Sequence, residues 1–479
     1  MRANLPPRTG RRYIVVGGAG FLGGWVVNHL LTRGENPRFI RVLDIRAPTR
    51  VDLTTGLATQ VDFRICDISD EQAVRSAFEA PWPQSRSEKE EGVRDDGNEN
   101  VNKSTELPEL TVFHTAANIR FYERVWWLVP LSTAVNVRGT QHLLDAARSI
   151  GASVFVSTSS GSICIRRSRF LLWPWETEPP YFVQEINDSD DLTSQQHNQF
   201  FSNYAYTKRL GEALVRGADK TPSSGGRVLR TGSLRPGNGV YGPGGDVLLG
   251  AALVREFNPT WIGNIVQNFV YVENASLAHL CYEERLLSSS SADKVSGKAY
   301  CIADDGPPPT YGDVYHALSV LTEGRVFFPE LSATIMFVIS HVIEAIYLAR
   351  QYLLRTPLPN FFRPLVRILV PQLPGDMLNL QPSLFALVGV HTLFDDSLAR
   401  RELGYKPQWT TLQGVCALVA DFESNGRVAE ARQRSGGGIG LGLGMTGLWR
   451  PRRVPTPKPK NVSIDLDFQA VSGVRHKVK

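Results

Sequence analysis

The chain has 479 residues, of which 42% are hydrophobic and 21% charged, so it carries enough apolar side chains for a large core. Its formal net charge of +5 is small for this length and argues against the concentrated basic surface of a nucleic-acid-binding protein. Five scattered cysteines, without a C-x-x-C pair or a nearby histidine cluster, predict a reducing compartment, no disulfide framework and no bound metal.

The first 240 residues alternate between short apolar runs and amphipathic stretches. The apolar runs predict strands at Tyr13–Val16, Phe39–Ile45, Val61–Ile68, Leu110–Ala117, Ser153–Ser157 and Arg227–Leu234. The amphipathic stretches between them predict helices at Phe21–Arg33, Thr133–Ser149 and Tyr204–Val215. This alternation predicts an α/β fold with a Rossmann-type, doubly wound parallel sheet in residues 12–245, and a smaller substrate-binding region in residues 246–430.

A glycine-rich loop, Gly17–Gly23, follows the first predicted strand and opens the first predicted helix. Glycines at such a junction allow a tight turn and a close approach of the backbone to a pyrophosphate, which the positive end of the helix attracts. Asp44 ends the next strand, where a carboxylate accepts a hydrogen bond from a ribose hydroxyl and repels a 2′-phosphate. The first domain is therefore predicted to bind NAD in preference to NADP, although Arg46 softens that preference.

Residues 84–109 interrupt the alternation. The sequence QSRSEKEEGVRDDGNENVNKSTE at 84–106 has almost no large apolar side chain, so we expect a disordered surface insertion. The glycine- and proline-rich residues 431–479 predict a disordered tail for the same reason.

Two groups of polar residues further along the chain are suited to acid–base chemistry on a substrate oxygen. Ser157–Ser160 end a predicted strand, where a hydroxyl can hydrogen-bond a substrate oxygen; Ser160 is favoured, with Ser159 as the alternative. Tyr204 and Lys208 are four residues apart and share one helix face, so the ammonium would lower the pKa of the phenol and make it a usable base. Tyr206 competes for this role but has no lysine four residues later.

A markedly apolar segment lies at residues 331–370. Leu331–Leu354 approaches the length needed to cross a bilayer, yet it contains His341, Glu344 and Arg350, which are costly in hydrocarbon. Apolar stretches bordered by arginines are typical of an interfacial anchor, and we expect membrane contact here. A buried helix of the substrate-binding region is the alternative.

Together these motifs resemble the extended short-chain dehydrogenases and, among them, the 3β-hydroxysteroid dehydrogenase family, including the sterol-4α-carboxylate 3-dehydrogenases. The resemblance covers residues 12 to 425 apart from the insertion. It rests on VVGGAGFLGG (15–24), Asp44, Cys66–Ile68, Phe113–Ala117, Asn136–Thr140, Ser157–Ser160, Tyr204–Lys208, Leu234–Gly244, Asn268–Asn274 and Leu403–Pro407. Val16 departs from the threonine that many extended members have before the glycines.

The resemblance implies a role for each matching residue. It implies a catalytic triad of Ser160, Tyr204 and Lys208. The residues implied to bind the cofactor are Gly17, Gly20, Phe21, Leu22 and Gly23 in the phosphate loop, Asp44 at the ribose, Asp67 and Ile68 beside the adenine, Ala116 and Ala117 at a strand end, Asn136 near a ribose, Pro236 beside the nicotinamide, and Tyr204 and Lys208 themselves.

The resemblance also implies a function: NAD-dependent oxidation of the 3β-hydroxyl of a sterol or triterpenoid, with or without loss of a 4α-carboxylate. The expected partners are the lipophilic substrate, a membrane surface, and a homodimer or a sterol-demethylation complex, with no nucleic acid. The expected location is the endoplasmic-reticulum membrane or a lipid droplet, with the catalytic domain in the cytosol. The alternatives are a nucleotide-sugar epimerase or reductase, another extended short-chain reductase of secondary metabolism, and a non-catalytic NAD-sensing regulator on the same fold.

Overall fold

The computed structural model describes residues 4–83, 107–188, 196–356, 372–373 and 375–425. Its strands are β1 (Arg12–Val16), β2 (Ile40–Asp44), β3 (Asp62–Ile65), β4 (Leu110–His114), β5 (Ala152–Thr158), β6 (Val183–Ile186), β7 (Thr221–Ser223), β8 (Arg227–Pro236), β9 (Val240–Tyr241), β10 (Val270–Tyr271), β11 (Ala299–Ile302) and β12 (His391–Phe394). Its α-helices are α1 (Phe21–Thr32), α2 (Val51–Thr54), α3 (Glu71–Glu79), α4 (Val129–Thr133), α5 (Thr140–Ser149), α6 (Asn203–Gly217), α7 (Leu249–Arg255), α8 (Val272–Leu287), α9 (Ala292–Val295), α10 (Tyr311–Leu321), α11 (Ala333–Arg355), α12 (Gly375–Asn379), α13 (Pro382–Val388) and α14 (Thr411–Asn425).

Seven parallel strands form the central sheet in the order β11-β8-β5-β4-β1-β2-β3, and β7 pairs antiparallel with β8. The chain leaves β1 towards β2 and β3 and then crosses back to β4, so the strand order reverses between β1 and β4. In open sheets of this kind, ligands bind at the carboxyl ends of the strands where the order reverses. The topology thus places a binding site above Val16 and His114.

Apolar side chains cover both faces of this sheet. In β1, Tyr13 and Val15 belong to the layer that includes Val26 and Leu30 of α1, together with residues of α8. The intervening Ile14 and Val16 belong to the opposite layer, with residues of α3, α5 and α6. Alternate residues of a strand point to opposite faces, so a strand that is covered on both sides is apolar throughout.

The predicted parallel sheet is confirmed, and each of the six predicted strands is present, with no end more than three residues from the prediction. One of the seven parallel strands lies outside the prediction: β11 comes from residues 299–302, beyond the predicted domain boundary at 245, and pairs in parallel with β8. The later part of the chain therefore contributes to the central sheet as well. Residues 84–106 of the predicted insertion and the whole predicted tail lie outside the described residues.

Candidate active site

The carboxyl edge of the sheet gathers most of the predicted site residues. Each of six neighbouring strands ends in, or is followed closely by, one predicted segment. These segments are Gly17–Gly23 after β1, Asp44 in β2, Asp67 and Ile68 after β3, Ala116 and Ala117 after β4, Ser160 after β5, and Pro236 in β8. Residues that are more than two hundred positions apart thus share one edge.

The glycine loop has the tight geometry that its residue types predict. Gly17 has φ +81°, a left-handed conformation, and its N–H donates to the carbonyl of Leu43 at 2.7 Å. A Cβ placed on Gly23 would lie 2.2 Å from the carbonyl oxygen of Gly17, so only glycine fits there. The loop leads directly into α1, which begins at Phe21, and this arrangement fits the pyrophosphate of a dinucleotide.

Asp44 lies beside this loop at the end of β2. Its Oδ2 accepts the N–H of Ala19 at 3.2 Å, and its Oδ1 accepts the N–H of Arg46 at 3.4 Å. Burial raises the pKa of this carboxyl, and the two backbone N–H groups act in the opposite direction. A carboxylate held against the glycine loop fits a ribose diol.

The remaining predicted cofactor residues differ in exposure. Asp67 is exposed and closes a turn by accepting the N–H of Ser69 at 2.9 Å, whereas Ile68 is buried. Asn136 is buried in a π-helical stretch, Ala134–Gly139, where its amide oxygen accepts the N–H of Asn118 at 2.8 Å and its amide nitrogen donates to Thr207 at 3.1 Å. Asn136 thus links the segment after β4 to α6, and its side chain forms its hydrogen bonds with other residues of the chain.

Tyr204 and Ser160 are brought together, as the sequence predicts. Tyr204 lies in the first turn of α6 and is partly buried. Burial raises the pKa of its phenol, and a hydrogen bond with the Ser160 hydroxyl lowers it in part. Ser159, the alternative, is buried, and its hydroxyl helps to lower the pKa of the Glu212 carboxyl. Tyr206 packs its ring against His197 and Phe200 instead.

Lys208 departs from the predicted role in one respect. Its ammonium donates to the carbonyl oxygen of Thr158 at 2.6 Å. Burial lowers the pKa of Lys208 to about 8, and the nearby Glu212 carboxylate opposes this shift. Burial is the main influence on the phenol of Tyr204 here, and the ammonium is bound to a carbonyl, so the lowering of the Tyr204 pKa by Lys208 stays a prediction.

Two pairs of residues that support the site lie outside the sequence-based prediction. Arg235 of β8 and Glu212 of α6 form a buried ion pair, with nitrogen–oxygen distances of 3.0 and 2.7 Å. His279 of α8 lies 2.7 Å from the hydroxyl of Thr158 and 2.7 Å from the carbonyl oxygen of Ala275. Because a carbonyl can only accept, Nδ1 of His279 carries the proton and Nε2 accepts from Thr158. Glu212 lies four residues after Lys208 on the same helix face, and this spacing is the sequence signal that could have drawn attention to the Arg235–Glu212 pair.

The described residues contain no group of three His, Cys, Asp or Glu side chains arranged to hold a metal ion. The site thus consists of a glycine loop, a strand-end carboxylate, and a serine–tyrosine pair with a buried lysine nearby.

Comparison with known families identifies this arrangement. The profile of the 3-beta hydroxysteroid dehydrogenase/isomerase family matches residues 14–81 and 110–322, which is more than half of the chain. The chain belongs to that family. The resemblance inferred from the sequence is thereby confirmed.

Two curated relatives come from Arabidopsis thaliana. The 3beta-hydroxysteroid-dehydrogenase/decarboxylase isoform 2 is 28% identical over 298 residues, which cover 61% of this chain and 45% of the relative. Isoform 1 is 28% identical over 300 residues, covering 61% of this chain and 58% of the relative. The chain thus spans about half the length of the curated relatives that it matches.

Solved structures show the same fold at low sequence identity. The epimerase Mth375 of Methanothermobacter thermautotrophicus has a TM-score of 0.56 and 17% identity, covering 88% of this chain and 95% of its own. The UDP-glucose 4-epimerase of Thermotoga maritima has a TM-score of 0.52 and 17% identity, covering 86% and 99%. The protein MoeE5, solved with UDP-glucuronic acid and NAD, has a TM-score of 0.52 and 18% identity, covering 85% and 98%.

Proposed function

We propose that this chain oxidises the 3β-hydroxyl of a sterol or triterpenoid with NAD as the hydride acceptor. The observation that carries the proposal is the pairing of the Tyr204 phenol with the Ser160 hydroxyl at the carboxyl edge of the sheet, two strands from the glycine loop. Family membership supports the reaction type, and the names of the two Arabidopsis relatives support the substrate class.

The roles of the residues follow from their positions. The Ser160 hydroxyl hydrogen-bonds the substrate oxygen and holds it beside Tyr204, which removes the hydroxyl proton as a phenolate. Lys208 lies one helical turn after Tyr204 on the same helix, and its ammonium is held by the carbonyl oxygen of Thr158. Bound nicotinamide supplies the hydride acceptor.

Loss of a neighbouring carboxylate is the second step that we propose. Oxidation of a 3-hydroxyl beside a 4α-carboxylate produces a β-keto acid, which releases carbon dioxide once the resulting enolate is stabilised. The hydroxyls of Ser160 and Tyr204 can donate to that enolate oxygen. The decarboxylase part of both relatives' names supports this step.

A substrate panel tests the proposed reaction directly. We expect reduction of NAD with both 4α-carboxysterols and 3β-hydroxysteroids, measured by the absorbance of NADH. Carbon dioxide should be released from the 4α-carboxysterols alone. Flavonoids and UDP-sugars serve as comparison substrates. Turnover of a UDP-sugar without turnover of any sterol would show that the chain is a nucleotide-sugar enzyme instead.

Asp44 is proposed to set the preference for NAD. The wild-type chain should bind NAD more tightly than NADP, and Asp44→Ala should narrow this difference because the charge facing the 2′-phosphate is removed. Calorimetric titration of both cofactors measures the effect. Arg46→Ala is the matched control, since loss of a cation should widen the difference. Equal or tighter binding of NADP by the wild type would contradict this assignment.

Membrane contact is proposed for α11. It is long and apolar enough to cross a membrane, with a mean hydropathy of 1.5 over 18 residues. Only 22% of those residues are buried within the protein. Glu344, the charged residue between Ala333 and Ala349, faces the protein and binds Arg124 through bonds of 2.7 and 2.6 Å. The outer face of the helix is apolar and exposed at Ile335, Val338, Ile339, Val342 and Ile346.

The charged side of α11 faces the protein and its apolar side is exposed. This arrangement favours a helix that lies on the membrane over one that crosses it. Tyr347 also faces the protein, where it bonds with Glu123 and accepts from Arg120 at 2.9 Å. A helix held along its polar face by these contacts offers only its other face to lipid. We propose a cytosolic catalytic domain at the endoplasmic reticulum or a lipid droplet, where a sterol substrate would partition. The following part of the predicted segment, residues 357–370, lies outside the described residues.

A further inference from the structure

A second apolar surface lies in the segment that follows the serine cluster. Five consecutive apolar residues, Leu171 to Trp175, are all exposed, with 54% of Trp173 and 76% of Trp175 accessible. Scattered single apolar residues are ordinary on a protein surface, but a contiguous patch marks an interaction site. We call residues Phe170–Trp175 the tryptophan loop.

The loop is a defined turn. The Glu176 N–H donates to the carbonyl of Trp173 at 2.9 Å, and the Glu176 carboxylate accepts the N–H of Trp173 at 2.9 Å. The two indole rings stack with their centroids 5.4 Å apart. Arg169 forms an ion pair with Glu176 and lies over the Trp173 ring. These contacts hold both indoles outward.

Phe170 joins the tryptophan loop to α11. Its ring stacks on Phe337 with a centroid distance of 4.4 Å, and it meets the edge of Phe385 from α13 at 5.5 Å. Val338 follows Phe337 and belongs to the exposed apolar face of α11. The tryptophan loop therefore packs directly beside α11, whose exposed apolar face includes the residue after Phe337.

Arginines border this surface. Arg166, Arg167 and Arg169 directly precede the tryptophan loop, and Arg166 and Arg167 are exposed. Among the described carboxylates, none lies within ion-pair distance of Arg166 or Arg167. Tryptophans with an apolar patch and adjoining arginines suit the boundary between the hydrocarbon and the headgroups of a bilayer, where anionic phosphates attract the cations.

We propose that the tryptophan loop inserts into the interface of a membrane containing anionic phospholipids, beside α11. The inference extends the proposed membrane contact of α11 by adding a second contact segment and a lipid class. It also places the segment that leads away from Ser160 at the lipid surface.

The test is binding of the full-length chain to vesicles of phosphatidylcholine alone or mixed with phosphatidylserine, measured by co-sedimentation. Trp173→Ala with Trp175→Ala should weaken binding by at least about tenfold, since two large apolar side chains no longer leave water. Arg166→Gln with Arg167→Gln should remove the preference for phosphatidylserine. Val320→Ala with Leu412→Ala, both exposed and apolar but on α10 and α14, is the matched control and should bind as the wild type does.

A variant of α11, Val338→Ser with Val342→Ser, separates the two proposals. If the tryptophan variant binds normally and the α11 variant does not, the loop inference is wrong and the α11 contact stands. If both bind normally, both contacts are wrong. Light scattering measures the oligomeric state of each variant. If the tryptophan variant no longer forms an oligomer that the wild type forms, but binds vesicles normally, the loop is a contact between copies of this chain and the inference is overturned. Unchanged thermal unfolding in each variant shows that the fold is intact.

Discussion

Replacing Tyr204 with phenylalanine should lower the rate of alcohol oxidation by about 10²- to 10⁴-fold and leave the affinity for NAD nearly unchanged. The substitution removes the hydroxyl that bonds with Ser160 and keeps the aromatic ring. The glycine loop and Asp44 belong to other strands and are not altered. Steady-state turnover with the best substrate of the panel, together with calorimetric titration of NAD, measures the two effects separately.

Tyr206→Phe is the matched control for this prediction. Tyr206 lies two residues away on the same helix but packs against His197 and Phe200, so its loss should leave turnover close to that of the wild type. The opposite pattern, an active Tyr204→Phe and an inactive Tyr206→Phe, would show that the wrong tyrosine had been assigned.

The pH dependence supplies a further check on Tyr204. Burial raises the pKa of this phenol, so the phenolate fraction is small at neutral pH and grows as the pH rises. Oxidation by the wild type should therefore accelerate as the pH increases through neutrality. The residual activity of Tyr204→Phe should lack this dependence on phenol ionisation.

The sequence predicted the central sheet well because its strands are covered on both faces. Such strands are continuous apolar runs, as in Tyr13–Val16, and each is followed by polar or glycine residues that mark its end. The exception, β11, is four residues long and comes after the alternation of strands and helices has ended. Nothing local in Ala299–Ile302 specifies its pairing with β8, which tertiary structure decides.

The site was predictable where its residues are close in sequence. Tyr204 and Lys208 share a helix face by spacing alone, and the glycine loop follows a strand. The choice between Ser159 and Ser160 needed coordinates, because adjacent residues point to opposite sides and either order fits the pattern. The contact of Thr158 with His279 joins residues 121 positions apart, and periodicity contains no information on such pairs. The apolar residues of the tryptophan loop follow neither the helical nor the strand spacing, so periodicity gives no signal for this segment.

Breaking the buried ion pair behind Lys208 should cost the fold about 3 to 5 kcal/mol. Arg235 is 1% exposed and Glu212 is 2% exposed, and they share two hydrogen bonds. Burial lowers the pKa of the Arg235 guanidinium, but the Glu212 carboxylate raises it by more, so the arginine remains charged. Glu212→Gln therefore leaves a buried cation without its counter-charge. Denaturant unfolding of the wild type and the variant measures the loss.

A double variant tests whether the cost comes from the unpaired charge. Glu212→Leu with Arg235→Met removes both charges of the pair and fills similar volume, so it should be less destabilised than Glu212→Gln, because no guanidinium is left buried without its counter-charge. Acid pH gives an independent check, since Arg235 lowers the pKa of Glu212 although burial opposes this. A carboxyl with a lowered folded-state pKa stabilises the fold above its ordinary value of 4.5 and loses that contribution as the pH falls through its folded-state pKa. The gap in stability between wild type and Glu212→Gln should therefore shrink at acid pH, because protonated Glu212 is as uncharged as glutamine. A gap that stays constant down to the acid transition would mean that packing, and not charge, makes this pair important.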